Sequence, residues 1–207
     1  MTPAYDQPIL DMCCGSRMFW LDKGDSRAIF ADVREESHKL CDGRSLHIEP
    51  DIIADFRALP FPNNSFAQVV FDPPHLARAG ENSWMRKKYG ALDKKTWRDD
   101  IRAGFSEAFR VLRPHGTLIF KWNETQIPVS QVIALTDVKP TIWQRTGKSD
   151  KTHWIMFLKD SPVCSAQDEA IGMLLIKAEE KRARGLLSEA NAIGYAIALL
   201  KQEAENA

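Results

Sequence analysis

Four short apolar runs in the first 72 residues, each followed by a small or acidic residue, are the feature that most constrains the fold. Each run has the length and composition of a β-strand. The runs end near Gly15 and at Asp32, Asp55 and Asp72. If the strands are parallel, their carboxyl ends lie at one edge of a sheet, where the connecting loops line a ligand crevice. The repetition therefore predicts an α/β protein with a binding site at that edge.

The turn Asp72-Pro73-Pro74-His75 directly follows the strand predicted over residues 66–71. Two prolines fix φ and lack backbone N–H groups, so the turn is stiff and its carbonyl oxygens have few competing donors nearby. A carboxylate, a proline carbonyl and the flat ring of His75 would together suit a planar amino group. The alternative interpretation is that Asp-Pro-Pro is only a rigid turn.

The remainder of the first 160 residues predicts further strands and helices. Apolar residues recur at helical spacing from Trp97 to Leu112, and a second, short helix begins at Pro128. Further strands are predicted over 117–122, 141–145 and 153–158, a helix over 34–40, and a loop over 76–93. The last two strands are joined by a polar loop, residues 146–151, which is so short that the strands must form an antiparallel hairpin. The predicted fold is α/β, with a Rossmann-like, mostly parallel seven-stranded sheet that has a terminal antiparallel hairpin.

The composition changes after residue 160. Residues 161–207 are rich in Ala, Glu, Lys and Leu, with two helical patterns separated near Gly185. We therefore expect a principal domain over residues 1–160 and a C-terminal helical hairpin over 161–207. The hairpin could pack on the domain, dimerise or hold a partner, and the sequence does not choose among these.

Composition excludes several classes of protein. The chain has 207 residues, zero formal net charge and no apolar run near the roughly 20 residues that span a bilayer. Its first residues lack the features of a signal peptide, so we expect a cytoplasmic location. The cysteines, Cys13, Cys14, Cys41 and Cys164, show no CxxC spacing and are interpreted as reduced thiols. A zinc site at Cys41 would lack a fourth ligand, so no metal is expected.

Basic residues are concentrated directly after the proline turn. Residues 1–77 carry 12 acids and 7 bases, whereas residues 78–113 carry 5 acids and 10 bases. A neutral total argues against a protein that coats nucleic acid, but a local basic patch beside a site is what a groove that holds a phosphate backbone needs.

Several segments in order make residues 8–159 resemble the class I S-adenosylmethionine-dependent methyltransferases. The narrower resemblance is to the amino-methyltransferases of nucleic-acid bases that carry a (D/N/S)PP(aromatic) motif. Leu10–Ser16 looks like the cofactor loop of the family, and Phe109–Gly116 looks like its helix exit before the fifth strand. Two positions depart from the pattern. Arg17 stands where a second glycine is frequent, and His75 stands where Tyr, Phe or Trp is usual.

The resemblance implies S-adenosyl-L-methionine as the cofactor and a role for each matching residue. It assigns catalysis to the proline turn, at Asp72, Pro73, Pro74 and His75. It assigns cofactor binding to Asp11, Cys13, Cys14, Gly15, Ser16, Asp32, Val33, Asp55, Phe56 and Asp72. Substrate binding is expected from Arg78, Trp84, Arg86, Lys87, Lys88, Tyr89, Lys121 and Asn123.

The activity implied by the resemblance is methyl transfer to an exocyclic amino group of a nucleic-acid base, first of all adenine N6 in DNA. Alternatives remain open: methylation of an adenine or guanine amino group in RNA, methylation of a small molecule, or a non-catalytic subunit that binds the cofactor. Nucleic acid, with DNA favoured over RNA, is the expected partner, and the C-terminal helices are a possible homodimer contact.

Overall fold

The chain divides into two compact units, residues 1–160 and residues 161–207. The structure, a computed structural model, describes residues 7–40, 42–80, 83–146, 149–160 and 166–205. Cys41 and Cys164, interpreted above as reduced thiols, lie outside these ranges.

Strands and helices alternate only in part along the chain. The strands in the described ranges are β1 (Ile9–Asp11), β2 (Ala28–Asp32), β3 (Glu36–Lys39), β4 (Ser45–Ile48), β5 (Ile52–Ile53), β6 (Phe66–Phe71), β7 (Leu112–Asn123), β8 (Ile142–Thr146) and β9 (Thr152–Leu158). The helices in the same ranges are α1 (Trp84–Tyr89), α2 (Trp97–Val111), α3 (Val129–Ile133), α4 (Ala166–Ala183) and α5 (Leu187–Glu205).

Seven of these strands form one sheet in the order β5-β2-β1-β6-β7-β9-β8. β1 pairs in parallel with both β2 and β6, and β6 pairs in parallel with β7. β9 is antiparallel to both of its neighbours, so the edge strand β8 runs in the same direction as β7. The predicted Rossmann-like sheet is confirmed, with its one antiparallel strand in the last position but one. Because the strand order reverses between β1 and β6, a crevice is expected at the carboxyl ends of these two strands.

Helix α2 covers one face of the sheet through the apolar residues that recur along it. Ile101, Phe105 and Ala108 are buried. The ring centroid of Phe105 lies 4.9 Å from that of Phe120 and 5.6 Å from that of Phe71. The helical pattern predicted from Trp97 onward is confirmed as a core-facing helix.

Residues 34–40 contain the strand β3, so the helix predicted there is wrong. β3 pairs with β4 in a separate two-stranded antiparallel sheet, and the chain turns at Gly43, which has φ of 82°. Leu46 and Ile48 alternate as the buried residues of β4. The segment 34–40 has one apolar residue, Leu40, and a helix there would have no apolar face to bury.

The loop predicted over residues 76–93 contains the short helix α1. Ser83 caps its first turn, because its hydroxyl oxygen accepts a hydrogen bond from the Met85 N–H at 3.3 Å. Gly90 ends the helix with φ of 71°, and a Cβ at this position would lie 2.9 Å from Pro74 Cγ. A glycine is required here for both reasons, and it lets the end of α1 pack on the proline turn.

The second unit is a pair of packed helices, α4 and α5, as the sequence predicts. Gly185, between them, has φ of 76°. Ala178, Ala190 and Ile197 are buried, and Lys181 pairs with Glu189 at 2.6 Å. Across the described part of the chain, the search for a helix long and apolar enough to cross a membrane finds none.

Gly104 on α2 offers a test of the core. A Cβ here would lie 2.4 Å from Phe71 Cζ and 2.9 Å from Phe56 Cδ2. We predict that Gly104→Ala lowers the free energy of unfolding by about 1–2 kcal/mol. The cost of overpacking should outweigh the roughly 1 kcal/mol by which alanine stabilises a helix relative to glycine. Chemical denaturation measures the change.

The matched control is Gly172→Ala on α4, where a Cβ would meet no heavy atom within 4 Å. This variant should be as stable as the wild type or more so. Equal stability of Gly104→Ala and the wild type would contradict the packing described here.

Candidate active site

Two cavities meet at the carboxyl ends of β1, β2 and β6. The first, called here the strand-end cleft, has a cavity volume of about 60 Å³, and the second, the side pocket, about 320 Å³. Both cavities are lined by Met18, Asp72, His75 and Tyr89. Asp72 therefore lies where a molecule in one cavity would face a molecule in the other.

The structure brings most of the predicted cofactor and catalytic residues to the strand-end cleft. Those that line it are Cys13, Cys14, Gly15, Ser16, Asp32, Val33, Phe56, Asp72, Pro73, Pro74 and His75. The predicted substrate residues are more dispersed. Lys88 and Tyr89 line the cleft, and Tyr89, Lys121 and Asn123 line the side pocket. Trp84 is exposed on α1 and lies outside these two cavities, and Lys87, half-buried on the same helix, also lies outside them.

The loop after β1 is held in one conformation by backbone contacts. Gly15 has φ of 49°, and its N–H donates a hydrogen bond to Asp32 Oδ2 at 2.9 Å. The Cys14 N–H donates to the Ala31 carbonyl at 2.9 Å. No heavy atom lies within 4 Å of where a Gly15 Cβ would stand. Space for a ligand beside the main chain is thus present at this turn.

Arg17 takes the place of a glycine without filling the cleft. It adopts φ of 52°, and its guanidinium donates to the carbonyls of Lys23 and Glu49 and to Asp51 Oδ1 at 2.6, 2.8 and 3.0 Å. The same group lies 3.8 Å from the ring centroid of Phe30. These contacts hold a residue with a side chain in a backbone region that favours glycine.

Asp32 connects the loop after β1 to α1. Its Oδ1 accepts hydrogen bonds from the Arg34 backbone N–H at 2.9 Å and from Arg34 Nε at 3.3 Å. The Arg34 guanidinium also donates to the Lys87 carbonyl at 3.2 Å. Both oxygens of this nearly buried carboxylate are therefore engaged, Oδ2 by Gly15 and Oδ1 by Arg34.

Two of the predicted cofactor residues do not line the strand-end cleft. Asp11 is fully buried, and its carboxylate accepts hydrogen bonds from Trp20 Nε1–H at 2.7 Å and from the Cys13 N–H at 3.2 Å. Asp55 pairs with Arg57 at 2.6 Å, and it is the next residue, Phe56, that lines the cleft. The structure corrects the placement of both carboxylates, because the direction in which a side chain leaves a strand end is set by packing.

Burial governs the protonation of Asp11. Loss of hydration raises the pKa of the Asp11 carboxyl to about 7, against the opposing effect of the hydrogen bonds from Trp20 and Cys13, and the nearby charges of Asp72 and Asp32 raise it further. Asp11 therefore gains and loses a proton near neutral pH.

Asp72 forms a close ion pair with Lys121 on the neighbouring strand β7. The distance from Lys121 Nζ to Asp72 Oδ2 is 2.6 Å, and both side chains are less than one-fifth exposed. Burial raises the pKa of Asp72, and the ammonium of Lys121 opposes that rise. The second oxygen, Oδ1, accepts no hydrogen bond from any residue that the structure describes. One acceptor atom is thus left for a ligand.

His75 presents an uncharged ring at neutral pH. Its centroid lies 5.4 Å from that of Tyr89 and 6.4 Å from that of Trp122. Burial, with a smaller contribution from Lys121, lowers the pKa of His75 to about 4. The imidazole can therefore serve as a flat wall, as the aromatic residue usual at this position would.

Several lining residues were missed by the sequence analysis. Met18, Phe19 and Arg34 line the cleft, and Met85 and Thr152 line the side pocket. For Arg34, a signal was available in its position two residues after a strand-end acid. The others come from the loop after β1, from α1 and from β9, and local pattern does not show that these segments meet at one site.

A basic groove adjoins the side pocket. One part of the groove is lined by the basic residues Arg78, Arg86, Lys94 and Lys95, and a second part is lined by Arg98. The two parts share Ala77, Arg78 and Lys94. Leu76 and Met85 line the side pocket, and the residues that follow them, Ala77 and Arg86, line the groove. None of these five cations forms an ion pair with a carboxylate among the residues placed by the structure. The acid of the groove, Asp93, accepts hydrogen bonds from the backbone N–H groups of Lys95 and Thr96.

No protein-family model matches the sequence, and the search of curated proteins found no match. Solved structures do match. A protein of Pyrococcus horikoshii is 15% identical over 73% of this chain and 81% of its own, with a TM-score of 0.49. A 1,6-didemethyltoxoflavin-N1-methyltransferase of Burkholderia thailandensis, solved with S-adenosylhomocysteine, is 12% identical over 74% of this chain and 71% of its own, with a TM-score of 0.44. A SAM-dependent methyltransferase of Archaeoglobus fulgidus is 13% identical over 73% and 85%, with a TM-score of 0.41. At these identities and scores the matches do not bear on the chemistry of the site.

The raised pKa of Asp11 predicts a pH-dependent stability. A carboxyl that ionises near pH 7 when folded and near 3.8 when unfolded makes the free energy of unfolding fall as pH rises from about 4 to about 7. Asp11→Asn should remove this dependence, so that the variant gains roughly 2 kcal/mol relative to the wild type between pH 5 and pH 8. Urea denaturation at the two pH values measures the gain.

Asp55→Asn serves as the control, because Arg57 lowers the pKa of Asp55 and its charge is constant over this range. The difference in free energy of unfolding between Asp55→Asn and the wild type should be the same at both pH values. A constant difference for Asp11→Asn as well would show that Asp11 is ionised throughout.

Proposed function

We propose that residues 1–160 form a methyltransferase domain that transfers a methyl group from S-adenosylmethionine to an exocyclic amino group of a nucleic-acid base, first of all adenine N6 in DNA. The observation that carries the proposal is the position of Asp72 between two adjoining cavities, with one oxygen free. One cavity would hold the methyl donor and the other the base.

The residues that line the strand-end cleft suit the chemistry of the donor. The open main chain at Gly15 and Ser16 would pass beside the methionine part, and Asp32 at the end of β2 would meet the ribose. The apolar side chains of Val33 and Phe56 would flank the adenine ring. When bound, S-adenosylmethionine supplies a methyl group on a positively charged sulfur.

Residues of the proline turn would position the acceptor nitrogen. The lone pair of an exocyclic amine is delocalised into the ring, so hydrogen bonds from the amine to Asp72 Oδ1 and to the Pro73 carbonyl would favour a pyramidal nitrogen. The nitrogen lone pair forms the new N–C bond, the electron pair of the breaking S–C bond stays on sulfur, and the nitrogen then releases one proton. Positioning of this kind can lower a barrier by up to roughly 7–11 kcal/mol.

The basic groove supports a nucleic-acid acceptor. Its five cations have no carboxylate partner among the described residues, and they begin one residue beyond the side pocket, where a phosphate backbone that delivers a base to the pocket would run. The exposed Trp84 is available to stack on an unpaired base. A duplex would have to release the target base from its stack before the amine could reach Asp72.

A small-molecule acceptor is the second candidate. The side pocket has a cavity volume of about 320 Å³, at the lower end of the roughly 300–1,000 Å³ range of small-molecule sites. Such an acceptor would need no groove, and its methylation would be insensitive to substitutions there.

Methyl transfer can be tested directly. Protein incubated with labelled S-adenosylmethionine and unmodified DNA, RNA or free nucleosides should label DNA most, with N6-methyladenine found by nucleoside mass analysis. We predict that Asp72→Ala reduces labelling by at least about 100-fold, since hydrogen bonds to the reacting nitrogen are lost, while titration calorimetry shows donor affinity within a few-fold of wild type.

Asp55→Ala is the matched control, because this carboxylate lies outside the cleft and should leave labelling nearly unchanged. Comparable turnover by Asp72→Ala would remove Asp72 from the reaction. Labelling of free nucleosides alone would favour the small-molecule candidate.

The low pKa of His75 predicts how activity depends on pH. A ring that is neutral above about pH 4 contributes no inflection between pH 5.5 and 8. We therefore expect His75→Phe to retain the shape of the wild-type pH–rate profile, with a change in KM at most. An inflection near pH 6.5 that is present in the wild type and lost in His75→Phe would show that the imidazole titrates during turnover.

A further inference from the structure

We infer that Lys121 donates a hydrogen bond to the unprotonated ring nitrogen beside the accepting amino group, N1 in adenine or N3 in cytosine, and so makes the side pocket selective for bases that carry this nitrogen. The inference rests on the proposed function and narrows its acceptor.

The structure places an acceptor and a donor side by side at the inner end of the side pocket. Lys121 Nζ contacts Asp72 Oδ2 at 2.6 Å, while Asp72 Oδ1 has no partner among the described residues. One ammonium hydrogen is used in this pair, and two remain. The ammonium also lies 5.2 Å from the ring centroid of Phe19 and 5.7 Å from that of Trp154, which fixes its position.

Asn123, the amide side chain that lines the pocket, has both of its polar atoms in hydrogen bonds within the protein. Asn123 Nδ2 donates to Thr152 Oγ1 at 3.1 Å, and Asn123 Oδ1 accepts from the Thr125 N–H at 3.1 Å. Lys121 is the cation among the described residues that line this pocket, and it contacts Asp72 directly.

This pairing matches one type of base edge. In adenine, the amino group at C6 is a donor and the adjacent N1 is an acceptor, and in cytosine N4 and N3 form the same pair. A base bound with its amine on Asp72 Oδ1 would place that ring nitrogen next to Lys121 Nζ. A base that lacks this ring nitrogen would leave the Lys121 hydrogen without an acceptor in the pocket.

Base analogues that lack one nitrogen isolate the contact. Wild-type protein is assayed with oligonucleotides that carry adenine, 1-deazaadenine or 7-deazaadenine at the same position. We expect kcat/KM for 1-deazaadenine to fall roughly 10- to 100-fold below that for adenine, the range for a hydrogen bond to a charged group. The value for 7-deazaadenine should stay within about threefold of that for adenine. Removal of N1 makes the amine more electron-rich, so the intrinsic reactivity would change in the opposite direction.

Two variants attribute the effect to Lys121. Lys121→Met should react with adenine and 1-deazaadenine at rates within about threefold of each other, whatever its overall activity. Lys121→Arg keeps a charged donor and should keep the preference for adenine. If Lys121→Met does not fold, the wild-type series and Lys121→Arg still decide.

Equal use of adenine and 1-deazaadenine by the wild type would overturn the inference and leave methyl transfer standing. A failure of the wild type to label any base would instead reject the proposed function, and the inference with it.

Discussion

The parallel pairing of β1 with both β2 and β6 is the constraint on which the site depends. Ile9 to Asp11 pair in register with Ala28 to Phe30 on one side and with Gln68 to Val70 on the other. The three strands therefore end at the same edge, which brings Gly15, Asp32 and Asp72 to one cleft although 57 residues of sequence separate the first from the last. A strand that was one residue out of register would turn its carboxylate to the other face of the sheet.

Three acids lie close together at this edge, and the fold accommodates each in a different way. Asp11 has two hydrogen-bond donors but no cation, and its pKa rises to about 7. Asp32 binds a backbone N–H on one oxygen and the Arg34 side chain on the other. Asp72 has a lysine partner on one oxygen and none on the second. The carboxylate with an unused acceptor is the one that both cavities share, which is the arrangement expected of a group that meets a ligand.

Sequence pattern was sufficient for the sheet and for α2, because period-two and helical periodicities report directly on burial. It failed over residues 34–40, where charged residues suggested a helix, although the turn at Asp42-Gly43 between two short segments was available as a hairpin signal. It identified Asp72 and Lys121 separately as site residues. Their contact joins positions 49 residues apart across two strands, and no local pattern contains that information.

The anchoring of Arg17 bears on how readily a ligand could be captured. Three hydrogen bonds and a stacked guanidinium hold the turn beside Gly15 in a backbone conformation that a free chain rarely visits. A ligand that enters the cleft contacts a turn that is already rigid, because the conformational entropy of this turn was lost during folding. Little of the binding free energy is therefore needed to immobilise the protein. Residues outside the cleft thus contribute to recognition through the stiffness that they impose.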